Sequence, residues 1–184
     1  PNGYKKLSEK VTEGINGSSS GDANCDEIGD AKIIQLKPRL ATTGKIRPTA
    51  VILHWWGYNA EGNSGIQSLV NGLRGNPDCG AGGCSVQLGI LRDGKTYQLT
   101  NSLTSRALHA TCANNFGIGI EIEGKPSDFG ASGPEKRPEQ FKAVVSTVKY
   151  LMDKYNIPLE ASLPKGVHSH KEADKYCNSG YGKD

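Results

Sequence analysis

Four histidines and a closely spaced pair of glutamates are the side chains in this sequence best suited to chemistry. His54 closes the run Val51-Ile52-Leu53-His54 and is followed by Trp55-Trp56-Gly57. His168-Ser169-His170-Lys171-Glu172 forms a second cluster near the C-terminus, and His109 stands alone in Arg106-Ala107-Leu108-His109-Ala110. Zinc takes neutral imidazoles, thiolates and carboxylates in tetrahedral sets, with one position left open when the ion is catalytic. His54 and one histidine of the second cluster supply two such donors if their strands are neighbours. The tail offers Asp174, Cys177 or Asp184 as a third. None of these spacings matches a helical His-Glu-x-x-His motif. Taken singly, His54 and His109 each read more simply as structural histidines bonded to backbone.

Glu121 and Glu123 lie in Gly117-Ile118-Gly119-Ile120-Glu121-Ile122-Glu123-Gly124. Residues two apart on a strand share a face, and the isoleucines take the opposite one. On the cleft side of a strand and beside an ion, such a carboxylate can accept a proton from water. A solvated strand face is expected to account for at least one of the pair.

The elements that must position these groups follow from hydrophobic period and turn chemistry. Val51 to His54 is a short, β-branched apolar run closed by a turn residue, the pattern of a buried strand. Lys32 to Leu36 predicts a short strand. Ile66, Leu69, Val70 and Leu73 share one face of a helix over 63–74. Residues 85–99 predict a hairpin around Asp93-Gly94, and 117–124 a strand with one buried face. Pro138 opens the best helix, with Phe141, Val144, Val145, Val148, Leu151, Met152 and Tyr155 on one face and Pro158 as its stop. That stripe is core packing. Gly166 to His170 predicts a last strand, and the tail to Asp184 a polar loop. Strands alternating with helices predict a single α/β domain with a central mixed β-sheet flanked by helices.

Residues 1–30 are polar, carry Gly17-Ser18-Ser19-Ser20-Gly21-Asp22, and read as an extension or linker before a domain over 31–184. The 184 residues balance 22 Lys and Arg against 19 Asp and Glu, a net +3 that does not argue for nucleic acid and suits an anionic polymer such as a cell wall. No apolar run approaches a membrane span, and the first residues, Pro1-Asn2-Gly3-Tyr4-Lys5-Lys6, lack an apolar signal core. Of the five cysteines, Cys79 and Cys84 bracket a glycine-rich loop that can close on itself. A disulfide there would suit an oxidising compartment. A zinc knuckle is disfavoured for want of a second nearby ligand pair.

Five of these pieces, in this order, resemble the type 2 N-acetylmuramoyl-L-alanine amidase family, which includes peptidoglycan recognition proteins and some phage lysins. They are Val51-Ile52-Leu53-His54-Trp55-Trp56-Gly57, the Leu91-Arg92-Asp93-Gly94-Lys95-Thr96-Tyr97-Gln98-Leu99 hairpin, Leu108-His109-Ala110, Asn115-Phe116-Gly117-Ile118-Gly119-Ile120-Glu121, and His170-Lys171-Glu172-Ala173. The resemblance runs from about residue 50 to the end.

It implies a zinc hydrolase that cuts the amide between the lactyl group of N-acetylmuramic acid and the stem peptide's L-alanine. The carried-over zinc ligands are His54, His170 in preference to His168, and Asp184 in preference to Cys177. The catalytic carboxylate is Glu121. Trp55, His109 and Asn115 are expected to bind substrate, with Trp56 a further aromatic candidate. Val86 and Gln87 stand where some members carry a tyrosine or histidine, so a tyrosine-assisted mechanism is not expected. The implied partner is peptidoglycan or its muropeptides, with no nucleic acid and no transmembrane segment. The protein is expected to be a monomer, secreted, facing a cell wall, or a phage lysin. The competing reading is a non-catalytic peptidoglycan-binding module of the same fold.

Overall fold

The computed structural model describes residues 33–37, 39–56, 65–125, 136–159 and 162–179. Its sheet contains β1 (Ile33–Gln35), β2 (Ala50–Trp55), β3 (Leu88–Ile90), β4 (Thr96–Gln98), β5 (Gly117–Ile122) and β6 (Gly166–Ser169), in the order β1-β4-β3-β5-β2-β6. Only the β3–β4 hairpin is antiparallel; the other neighbours run parallel. Three α-helices are described, α1 (Ile66–Arg74), α2 (Pro138–Tyr155) and α3 (His170–Cys177). This is the expected α/β domain with a mixed sheet. The expected N-terminal extension lies outside the described residues.

β2 is buried at every position, as a parallel strand covered on both faces must be. Its side chains alternate between two different cores. Val51, Leu53 and Trp55 join Ile118, Ile120 and Ile122 of β5 beneath Val144, Val148 and Leu151 of α2. Ala50 and Ile52 turn the other way, to Ala110, Ala113 and Ala173, where small side chains let α3 lie close to the sheet. His54 continues that second face. A third cluster seats Leu69 and Val70 of α1 against Val86 and Leu99.

The predicted elements shift in instructive ways. The hairpin turns where Asp93-Gly94 predicts, with Gly94 at φ 82° and Asp93 accepting from the Lys95 N–H. α2 starts at Pro138 but stops before Pro158: Asn156 adopts the left-handed conformation and its N–H bonds the Met152 carbonyl, closing the helix. The part of the 63–74 helix before Gly65 lies outside the described residues.

The tail is not the polar loop that its composition predicts, because α3 begins at His170. The apolar period missed this helix, since only Ala173 and Asp174 are buried in it. Its start is set instead by a capping box: the Ser169 Oγ accepts from the Glu172 N–H, and the Glu172 carboxylate accepts from the Ser169 N–H at 2.8 Å.

The Cys79–Cys84 disulfide forms, and a second joins Cys112 to Cys177 at the end of α3. Cys25 lies outside the described residues. Among the described residues no helix is long and apolar enough to cross a membrane.

Because the first residue of α3 is His170, the cap also fixes where that histidine leaves β6. Ser169→Ala should lower stability by about 1 kcal/mol, read as a reduced urea midpoint at unchanged slope. An unchanged midpoint would show that the disulfide and Ala173 hold the helix start without the cap.

Candidate active site

The parallel register of β2 and β5 sets His54 directly beside Glu121. Both occupy the strand face opposite the main core, at the carboxyl ends where parallel sheets open their crevices. β6 runs on the other side of β2, pairing Ser169 with Leu53, so the next residue, His170, emerges level with His54. The two imidazole centroids are 4.5 Å apart. His170 Nε2 lies 3.5 Å from a carboxylate oxygen of Asp174, one helical turn on. Asp174 is itself buried and accepts from the Ser179 hydroxyl.

His54, Glu121, His170 and Asp174 line a cleft of about 820 Å³. Leu69, Gly72 and Leu73 of α1 and the Cys79–Cys84 loop form one wall, and residues 108–111 with Asn114 form another.

His109 completes the cluster. Its ring stands edge-on to His54, with His109 Nδ1 2.9 Å from His54 Nε2. Its backbone is held by Asn114, whose Oδ1 accepts from the N–H groups of both His109 and Ala110. The ring lies flat enough on β5 that a Cβ at Gly119 would come within 2.9 Å of it and 2.7 Å of Val86. The sheet is pinned there by Gln87, which accepts from the Gly119 N–H and donates to the Ser105 carbonyl.

Burial is the main reason that His54 titrates well below its ordinary value, and the rings of His170 and His109 add to the shift. His109 is held down to about 3, chiefly by burial, against an opposing hydrogen bond to Gly117. Both rings are therefore neutral at pH 7, the state in which imidazole offers a lone pair to a metal.

The structure sorts the sequence candidates. His54, His109, His170 and Glu121 converge on the cleft. His168 does not: it is buried within β6 and bonded to the Lys165 carbonyl at 2.6 Å. Glu123 is not on a solvated face; it is buried, and its carboxylate accepts from the Arg92 N–H. Glu121 is half-buried, so neither acid of the pair is a solvated strand residue.

Cys177 cannot serve as a thiolate ligand while bonded to Cys112. Asp184 lies outside the described residues. Among the described residues no three His, Cys, Asp or Glu groups are arranged to hold an ion.

Asn115 is exposed, accepts from Arg106 and does not line the cleft, whereas its neighbour Asn114 does. Trp55 borders the cleft but packs in the main core, while half-buried Trp56 lines it and packs with the α1 cluster. Asn114, and the role of Gln87 in holding backbone, were not legible in the sequence because a buried amide bonded to backbone leaves no periodic signal.

The mixed sheet thus carries a histidine near the end of an inner strand, a glutamate beside it on the neighbouring strand and a second histidine opening the last helix. The N-acetylmuramoyl-L-alanine amidase family profile matches residues 44–180, and the chain belongs to that family. No curated protein sequence matches it.

Among solved structures, the endolysin amidase LysCS from Clostridium intestinale URNW is 23% identical, with a TM-score of 0.56 over 77% of this chain and 82% of its own. Drosophila PGRP-LB is 16% identical, with a TM-score of 0.56 over 77% and 84%. A selenomethionine derivative of AmpD is 21% identical, with a TM-score of 0.56 over 86% and 89%.

Two measurements test this geometry. Gly119→Ala forces the His109 ring and Val86 apart and should cost about 1–3 kcal/mol of stability, seen as a lower urea midpoint. An unchanged midpoint would mean that the ring does not rest there. The second uses pH. The unfolded chain takes up a proton at His54 near its ordinary value of 6.5, which the folded protein refuses. Stability of the metal-free protein is therefore complete above pH 6.5 and falls as pH is lowered, by up to about 1.4 kcal/mol per unit for one such imidazole. A urea midpoint constant from pH 7.5 to 5 would contradict the burial of a neutral His54.

Proposed function

We propose that the protein is a zinc-dependent N-acetylmuramoyl-L-alanine amidase that hydrolyses the bond between the muramic lactyl group and L-alanine of peptidoglycan. One observation carries this reading: two imidazoles far apart in the chain, His54 and His170, and the glutamate Glu121 meet in one cleft. The donor chemistry fits zinc, and His54, His170 and Asp184 would hold the ion. When bound, zinc supplies a Lewis acid for the amide carbonyl and for the attacking water.

The remaining work falls to the chain's own residues. Glu121 accepts a proton from the attacking water and delivers it to the leaving L-alanine amine. Its position beside His54, set by backbone pairing, keeps the carboxylate next to the proposed ligand. Trp56 and the apolar residues of α1 offer a wall for sugar or peptide, with Trp55 at its edge. His109 also lines the cleft and would border a bound substrate there. Asn115 would meet only a substrate that extends beyond the cleft.

Both disulfides suit an oxidising compartment, which supports the reading of a secreted or wall-facing protein or a phage lysin, proposed here to work as a monomer. Relatives known as recognition proteins share the fold, which makes muropeptide binding without hydrolysis the alternative.

A digest of defined muropeptides, with and without chelator and read by mass, tests the reaction. Intact peptide with a free L-alanine amine, appearing only with metal, is the expected product. Glu121→Gln should retain zinc and slow hydrolysis by about two decades or more. Full activity in that variant would remove Glu121 from the mechanism, and muropeptide binding with no zinc in the wild type would favour the recognition module.

A further inference from the structure

The hydrogen bonds around His109 determine which nitrogen His54 can offer. His109 Nε2 lies 3.3 Å from the carbonyl oxygen of Gly117. A carbonyl only accepts, so the proton must sit on His109 Nε2. In a neutral imidazole the other nitrogen is then an acceptor. His109 Nδ1, 2.9 Å from His54 Nε2, must therefore receive a proton from it. His54 is protonated at Nε2, and its lone pair is on Nδ1. Both nitrogens of His109 are committed, one to the backbone and one to His54, so His109 has none left with which to ligate an ion.

We propose that His109 is a positioning residue: the chain Gly117 carbonyl, His109, His54 locks the tautomer of His54 and presents its Nδ1 to the metal. The lock depends on a backbone atom of β5, which cannot titrate, and on Gly119, which leaves room for the ring. Asn114 fixes the other end of the residue through the backbone. The role is that of the outer groups which orient metal-bound histidines elsewhere, usually carboxylates or carbonyls. Here an imidazole relays the backbone carbonyl's preference across one further ring. The inference rests on the reading of His54 as a ligand, but its first test does not.

Nitrogen-15 NMR of the metal-free wild type at pH 7.5 reports both tautomers directly. His54 and His109 should each carry the proton on Nε2. A proton on Nδ1 of His54 overturns the proposal, whether or not zinc binds.

The second test is zinc affinity, measured by chelator competition on wild type, His109→Asn and His109→Leu, with thermal midpoints as the fold control. The asparagine Oδ1 can stand where Nδ1 accepts, so His109→Asn should stay near wild type. His109→Leu should bind zinc roughly 10–100-fold more weakly. Equal affinity for a folded His109→Leu overturns the proposal. Equal losses in the two variants also count against it, because a packing role would not distinguish them. If the wild type has the stated tautomers but binds no zinc, the metal reading of the site fails and the lock itself stands.

Discussion

The pairing of β2 with β5 is the constraint on which the rest of the site depends. Parallel strands in register place side chains of the same parity on the same face, and here that sets His54 beside Glu121. A slip of one residue would send His54 into the main core and turn Trp55 out of it. The register is held because isoleucines 118, 120 and 122 and Val51, Leu53 and Trp55 all need the α2 side. Burying six large side chains on one face therefore forbids a slip of one residue. The opposite face can then be given over to glycine, alanine and the few polar groups of the site.

That second face is thinly packed. Ala50, Ala110, Ala113 and Ala173 let α3 approach closely, and they bury little area on their own account. The Cys112–Cys177 disulfide offsets this by linking the turn after His109 to the end of the helix that begins with His170. Cross-linking residues 65 positions apart removes conformational freedom from the unfolded chain and stabilises the fold by an amount on the order of 4 kcal/mol in the loop-entropy account. The same bond holds two walls of the cleft together. The Cys79–Cys84 loop serves the opposite wall, where the Cys84 N–H caps the Leu73 carbonyl at the end of α1.

Much of this was legible in the chain. β2, the Asp93-Gly94 hairpin, β5 and α2 each bury one continuous apolar face or use a turn residue with a single conformational meaning, and their positions follow to within a residue or two. α3 was not legible by period, because its stability comes from a capping box and a cross-link rather than an apolar stripe. The Ser169-x-x-Glu172 spacing was the available sign. Glu123 misled for a related reason: alternation predicts a face but not what covers it, and here the Arg92 backbone covers it.

The sequence by itself determined the donor types, the order of the motifs and the α/β alternation, because these depend on side-chain chemistry and local period. Only the tertiary structure decided which histidines meet. His168 and His170 are two residues apart, yet one is enclosed in the sheet and the other reaches the cleft, because β6 ends between them. It also removed Cys177 from the set of donors by bonding it to Cys112, and it gave His109 two fixed hydrogen-bond partners. Each of these outcomes depends on atoms 50 or more residues apart in the chain, or on a backbone carbonyl whose direction no side-chain pattern encodes.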